Sequence, residues 1–196
     1  MTDEEKYIFD VQGYLVLRQV LSPDLVGRLN RAIDHLESVD DGQVTALGAP
    51  RSYERDDVYA QVGRPPAEGL SDYVCPVLAC GGPFEELIDH PKTIGYIEQM
   101  IEEPLRLDSA AFLSRNSGGG FRFHHGHAEL LPYCEYFFED GRFKCVSIKV
   151  GYALSDVGVA DGCFAVIAAS HKSNFSNPFV GELPDPAHPL VEPLAC

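Results

Sequence analysis

The sequence predicts an α+β protein with a mainly β core, in which helices come first along the chain and strands follow. In the first half, apolar residues recur at helical spacing after Ser22-Pro23. From Pro104 onward, aromatic and β-branched runs are separated by turn signals such as Asp140-Gly141. Helices followed by strands favour either an α+β fold or a β-barrel backed by helices.

The length and charge of the chain limit its organisation and partners. It has 196 residues, which fits one domain over 1–196, with a helical and loop part over 1–103 and strands over 104–196. The formal net charge is −15, which disfavours nucleic acid and anionic membranes as partners. The acidic N-terminus lacks an apolar signal segment, and no apolar run approaches the ~18 residues of a membrane span. We expect a cytoplasmic protein with reduced thiols.

The N-terminal elements are predicted in order as follows. Residues 13–21 predict a short strand, and residues 23–38 predict an amphipathic helix with a serine N-cap and a proline at its first position. Residues 40–82 are rich in Gly, Pro, Asp and Arg and predict a long irregular connection, either a lid over a site or a surface excursion. Residues 83–103 predict two short helices with a break near Pro91.

The C-terminal half carries the β pattern. Residues 105–114 have little helical periodicity, and the three consecutive glycines within 116–120 predict a turn. A strand is predicted over 121–131. The strongest strand patterns cover 143–154 and 162–168, with a turn between them.

One segment concentrates the residue types that bind metals: His124-His125-Gly126-His127-Ala128-Glu129. On a strand, His125, His127 and Glu129 share one face, while His124 faces the other way. Positions four apart are roughly 13 Å from each other and cannot share an ion, whereas positions two apart, at about 6.6 Å, can. The chelating pair is therefore either His125 with His127 or His127 with Glu129, and a third ligand must come from another strand. A His-x-Asp/Glu pair with a distant His is the ligand set of non-haem iron oxygenases.

Several segments resemble the phytanoyl-CoA dioxygenase family, in the same order along the chain. Residues 13–17, 87–91 and 152–157 are similar to family segments, and residues 161–172 resemble the stretch that ends in Pro-Gly-Ser/Thr-His-Lys. Here Ala168-Ala169 stands in place of Pro-Gly. The resemblance implies a double-stranded β-helix (a cupin-like jelly roll) with helices packed outside. It also implies Fe(II), 2-oxoglutarate and hydroxylation of a small organic substrate.

The resemblance also implies roles for particular residues. His125 matches the first iron ligand of one bacterial subgroup, with His127 in the position of the family's aspartate. In an alternative register, His127 is the first ligand and Glu129 is the acid. The histidine of the family's Ser-His-Lys motif is not an iron ligand, so His171 is expected to be a structural turn or rim residue.

The family's distal histidine, and the arginine that pairs with 2-oxoglutarate, lie on strands after this motif. Here only His188 follows His171 among the histidines, and no arginine follows Arg142. Without these groups, iron and the co-substrate carboxylate are held weakly. We therefore expect a truncated oxygenase or a degenerate paralogue, with an open sheet edge available for self-association. The alternatives are a domain that binds a metal or small ligand without turnover, and a cupin-like isomerase or lyase that uses the same histidines.

Overall fold

A computed structural model describes most of the chain in two compact units. The described residues are 1–47, 52–53, 73–101, 104–114, 123, 136–173, 175, 177–179, 185 and 187–196. The first unit comprises residues 1–18, 91–106 and 122–196, and the second comprises residues 19–90 and 107–121. Within the described ranges, no helix has both the length and the apolar character needed to cross a membrane.

The regular elements are short. The helices are α1 (Asp3–Gln12), α2 (Pro23–Ser38), α3 (Asp41–Ala46) and α4 (Ile94–Met100). The strands are β1 (Ser52–Tyr53), β2 (Tyr73–Pro76), β3 (Ala111–Ser114), β4 (Tyr136–Glu139), β5 (Arg142–Cys145), β6 (Phe164–Ile167) and β7 (Val191–Leu194). Short 3₁₀ helices cover Leu78–Cys80, Gly82–Leu87, Val159–Asp161 and Ser170–Lys172. All strand pairs described are antiparallel, in the orders β1-β2-β3, β4-β5 and β6-β7.

Helix α1 of the first unit is fixed at both ends by local hydrogen bonds. The Thr2 side chain accepts the Glu5 N–H at 3.1 Å, and the Glu5 carboxylate accepts the Thr2 N–H at 2.6 Å, which forms a capping box. Gly13 ends the helix in the left-handed conformation at φ 83° and donates its N–H to the Phe9 carbonyl at 2.7 Å. The strand predicted over 13–21 is wrong, because Gly13 closes the helix and the apolar Leu15 packs on the core from irregular backbone.

The core of the first unit joins α1, α4 and the β4–β5 hairpin. Phe9, Met100, Phe143 and Cys145 are buried together. The rings of Phe9 and Phe143 meet edge to face with centroids 5.6 Å apart. The hairpin predicted at Asp140-Gly141 is confirmed, and both turn residues have positive φ, 54° and 77°.

The second unit is organised around α2, whose predicted bounds are confirmed. Ser22 accepts the Leu25 N–H at 3.2 Å, and Pro23 occupies the first helical position. The buried face of α2 carries Leu25, Leu29, Ile33 and Leu36. Arg28 forms a bidentate ion pair with Glu86, which links α2 to the 3₁₀ helix Gly82–Leu87.

Some of the remaining secondary-structure predictions are confirmed, and others are wrong. The irregular connection predicted over 40–82 is wrong where α3, β1 and β2 form, because a capping box at Asp40 starts α3 and β2 pairs with the distant β3. Its stretches 48–51 and 54–72 lie outside the described residues. The two short helices within 83–103 are confirmed, although the first is a 3₁₀ helix. The strand predicted over 143–154 ends at Cys145, because no partner strand continues the pairing among the described residues. The strand within 162–168 is confirmed as β6.

The α+β class is confirmed, whereas the mainly β core stays a prediction. The described residues form an α+β arrangement of helices and three small antiparallel sheets. The double-stranded β-helix stays a prediction, since each of these sheets has only two or three strands in the described part of the chain. The turn predicted within 116–120 lies outside the described residues, as does the strand predicted over 121–131 apart from Phe123.

Candidate functional site

The three predicted metal ligands lie in a segment that the structure does not describe. His125, His127 and Glu129 are outside the described residues, as is His124 on the opposite predicted face. In the part of the chain that is described, no three His, Cys, Asp or Glu side chains come together to hold a metal ion. The donor types of the predicted set, imidazole and carboxylate, match those that bind non-haem Fe(II). The choice between the two chelating pairs stays a prediction.

The Ser-His-Lys turn, in contrast, is fully described, and it docks on the end of α1. The 3₁₀ helix Ser170–Lys172 starts directly after Ala169, whose N–H donates to the Gln12 carbonyl at 2.8 Å. Ala169 adopts φ 63°, a left-handed conformation that costs a residue with a Cβ roughly 1–2 kcal/mol. The stretch ending in Pro-Gly-Ser/Thr-His-Lys, which this segment resembles, has glycine at this position. The alanine found here therefore places strain in the turn.

His171 is placed by two backbone positions at the end of α1. Its Nε2 lies 3.1 Å from the Asp10 carbonyl oxygen, so Nε2 must carry the proton that is donated. Its Nδ1 is buried and has no hydrogen-bond partner among the described residues. A Cβ at position 13 would lie 2.2 Å from Nδ1, so only glycine allows the ring to approach this closely. Burial lowers the pKa of His171.

The carboxylate of Asp10 joins the same group of residues. It accepts a hydrogen bond from the Tyr136 hydroxyl and lies 3.0 Å from the Lys172 ammonium. The Tyr136 ring packs edge to face on His171, with centroids 4.7 Å apart. The Tyr136 hydroxyl and then Lys172 hold the pKa of Asp10 below its usual value, while burial and then Asp10 raise the pKa of Tyr136. We call Asp10, Gly13, Tyr136, His171 and Lys172 the His171 cluster.

The His171 cluster is structural in its geometry. Each polar side-chain group except Nδ1 of His171 is engaged by another part of the cluster, and the ring is held between Gly13 and Tyr136. His171 lies in a turn, as predicted. Sequence reasoning missed Asp10 and Tyr136. A signal for the first existed, because Thr2-Asp3-Glu4-Glu5 matches a capping box and Gly13 a helix stop, which together predict a helix that contains Asp10.

An open cleft lies beside the cluster in the same unit, between α1, α4 and the β4–β5 hairpin. Its volume is about 550 Å³, and its lining includes cationic, anionic and aromatic side chains: Lys6, Tyr7, Glu98, Phe138 and Arg142. Phe138 is 57% exposed at its rim. The cleft is large enough for a small polar molecule.

Comparison with known proteins identifies the protein family. The sequence model of the family described as phytanoyl-CoA dioxygenase (PhyH) matches residues 9–188, a range that includes both the His171 cluster and the predicted metal-binding segment. The chain belongs to the phytanoyl-CoA dioxygenase family. This family is typically composed of Fe(II)- and 2-oxoglutarate-dependent dioxygenases with a cupin-like jelly-roll fold. Neither the curated proteins nor the solved structures contain a match.

Proposed function

We propose that this chain is a non-haem Fe(II)- and 2-oxoglutarate-dependent dioxygenase that hydroxylates a small organic substrate. The observation that carries the proposal is the family match over residues 9–188. The matched range contains His125, His127 and Glu129, which are residue types suited to an iron site.

The proposed iron-binding residues act as a chelating pair on one strand face. His127 belongs to both possible pairs, with His125 on one side and Glu129 on the other. Residues two apart on a strand bring their side chains to one ion and leave coordination positions open for other ligands. When bound, Fe(II) with 2-oxoglutarate supplies oxygen activation coupled to oxidative decarboxylation.

A second candidate is a domain that binds a metal or small ligand without turnover. It is supported by the engagement of the two histidines that follow residue 129. His171 Nε2 donates to the Asp10 carbonyl, and His188 Nδ1 accepts the Leu190 N–H at 3.2 Å. The His188 ring also packs edge to face on Phe179, with centroids 4.8 Å apart. Both histidines therefore have hydrogen-bond partners within the described residues.

Turnover of 2-oxoglutarate separates the two candidates. The purified chain is incubated with Fe(II), 2-oxoglutarate and oxygen, and succinate is quantified by mass spectrometry. The oxygenase proposal expects succinate that requires added iron, is abolished in His127→Ala and is retained in the matched control His124→Ala. Iron binding without succinate in the wild type supports the second candidate. Succinate formation that is equal in the two variants removes the proposed iron site.

Self-association through an open sheet edge is a further proposal. An unpaired edge strand presents unused N–H and C=O groups that a second copy of the chain can pair with. Sedimentation velocity at several protein concentrations tests it. A single monomer boundary at all concentrations would contradict self-association.

A further inference from the structure

We propose that the His171 cluster is an acid-sensitive latch, in which the neutral ring of His171 holds the Ser-His-Lys turn on the end of helix α1 and the protonated ring releases it. The proposal concerns a conformational control that the oxygenase chemistry does not require. It rests on the positions of the two ring nitrogens of His171, which have opposite surroundings.

One ring nitrogen, Nε2, faces a carbonyl oxygen and must therefore act as a hydrogen-bond donor. Nε2 lies 3.1 Å from the Asp10 carbonyl oxygen, at the last turn of α1. The neutral ring with its proton on Nε2 makes this hydrogen bond and leaves Nδ1 as an unprotonated nitrogen. The docking is reinforced by the Ala169 N–H, which donates to the Gln12 carbonyl at 2.8 Å.

The other ring nitrogen, Nδ1, has no acceptor in the described part of the chain for a proton that it would carry. Nδ1 is buried, finds no hydrogen-bond partner in the described ranges, and faces the backbone of Gly13, where even a Cβ would be only 2.2 Å away. Protonation makes both ring nitrogens donors. The new N–H would then be buried without an acceptor among the described residues, which disfavours the docked state.

The charged groups around the ring come from three elements. From α1, the Asp10 carboxylate favours a protonated ring, but it is already engaged by the Tyr136 hydroxyl of β4 and by Lys172. From the turn itself, the Lys172 ammonium disfavours a second positive charge beside it. Burial outweighs the hydrogen bond to the Asp10 carbonyl and the attraction of the Asp10 carboxylate, both of which raise the pKa of His171. The pKa in the docked state therefore lies below its ordinary value of 6.5.

The direction of the pH effect follows from the lowered pKa of His171. The released or unfolded ring takes up a proton near pH 6.5, while the docked ring takes it up only at lower pH. The latch is therefore at full strength above pH 6.5 and weakens as the pH falls from 6.5 through the lower pKa of the docked ring. The contribution of Asp10 lies in a separate window, because its pKa is held below 3.8.

Hydrogen exchange of the full chain measures release directly. Mass spectrometry follows the amides of residues 3–12 at about pH 7.5 and about pH 5.5, with the intrinsic exchange rates corrected for pH. One proton linked to opening raises the opening equilibrium by at most about ten-fold per pH unit below the ordinary pKa. At the lower pH, we therefore expect opening of α1 to increase by up to about ten-fold in the wild type.

Two variants attribute the effect to one histidine. His171→Gln keeps a side-chain amide that can donate to the Asp10 carbonyl but cannot be protonated in this range. It should show the same corrected protection at both pH values. His188→Gln changes a histidine outside the cluster and should keep the wild-type response. The proposal is overturned if His171→Gln responds to pH as strongly as the wild type.

A second measurement does not depend on any variant folding. NMR follows the ring resonances of selectively labelled histidine in the wild-type chain during a pH titration. We expect the His171 resonance to titrate below pH 6.5, with the amide signals of α1 shifting over the same range. Titration at or above pH 6.5, or a titration that leaves α1 unchanged, overturns the latch.

Discussion

Replacing Gly13 with alanine tests the contact between α1 and the Ser-His-Lys turn. Position 13 has φ 83°, a conformation that costs a residue with a Cβ roughly 1–2 kcal/mol. The new Cβ would also lie 2.2 Å from His171 Nδ1 and 2.7 Å from its Cγ, so the ring or the backbone must move. Overpacking of this kind costs about 1–3 kcal/mol. Gly13→Ala should therefore lower the free energy of unfolding by about 2–5 kcal/mol.

Equilibrium urea unfolding followed by far-ultraviolet circular dichroism gives this free energy. Gly141→Ala is the matched control, because Gly141 has a similar φ of 77° and an added Cβ would meet no neighbouring atom within 4 Å. The backbone contribution is common to both variants, so Gly13→Ala should be the more damaging by about 1–3 kcal/mol. In a His171→Ala background, the ring is absent and the cost of Gly13→Ala should fall to that of Gly141→Ala.

An equal loss of stability in the two glycine variants would refute the reasoning. It would show that His171 does not lie against Gly13 in solution. An unchanged cost of Gly13→Ala in the His171→Ala background would lead to the same conclusion, since the two substitutions would then act independently.

Three further predictions concern the same unit. Ala169→Gly should raise the free energy of unfolding by about 0.5–1 kcal/mol in urea unfolding, because glycine adopts φ 63° without the Cβ penalty; a loss of stability would contradict the left-handed turn. Tyr136→Phe removes the largest cause of the low pKa of Asp10, so the variant should lose less stability than the wild type as the pH falls below 3.8; an identical acid profile would contradict the hydrogen bond. Burial raises the pKa of Cys145 to about 11, so iodoacetamide at about pH 8 should alkylate the exposed Cys196 well before Cys145, and equal rates by mass spectrometry would contradict the packing.

The elements that the sequence predicts correctly are those with local signals. Helix α2 carries its own N-cap, a proline at the first position and an apolar stripe, so its bounds follow from the residues within it. The β4–β5 hairpin is similarly fixed by Asp140-Gly141, whose positive φ values match the twist of the strands.

The wrong predictions fall where distant partners decide the structure. Residues 13–21 and 146–154 have strand-like composition, but strand formation depends on pairing, which composition alone does not specify. Strand β2 escapes prediction because it pairs with β3, more than thirty residues away along the chain. Helix α1 is different, because the capping box at Thr2 is a local signal from which it could have been predicted.

The candidate site contains both local sequence signals and distant contacts, and its metal-binding segment stays a prediction. The residue types of the 125–129 segment indicate metal binding, and the Ser-His-Lys motif indicates a turn, because both features are contained in short stretches. The partners of His171 could not be predicted in this way, since Asp10 lies 161 residues before it. The composition around Gly13 predicts a strand, and only the structure relates this glycine to the His171 ring.

Anaerobic titration of the chain with Fe(II), followed by calorimetry, tests the proposed iron site most directly. We expect one iron per chain in the wild type and in His124→Ala, and loss of binding in His127→Ala because His127 belongs to both possible chelating pairs. Of the two variants His125→Ala and Glu129→Ala, the one that binds Fe(II) more weakly identifies the second ligand. Wild-type affinity in His127→Ala would contradict the account, and the chain would keep its family membership without the iron site proposed for it.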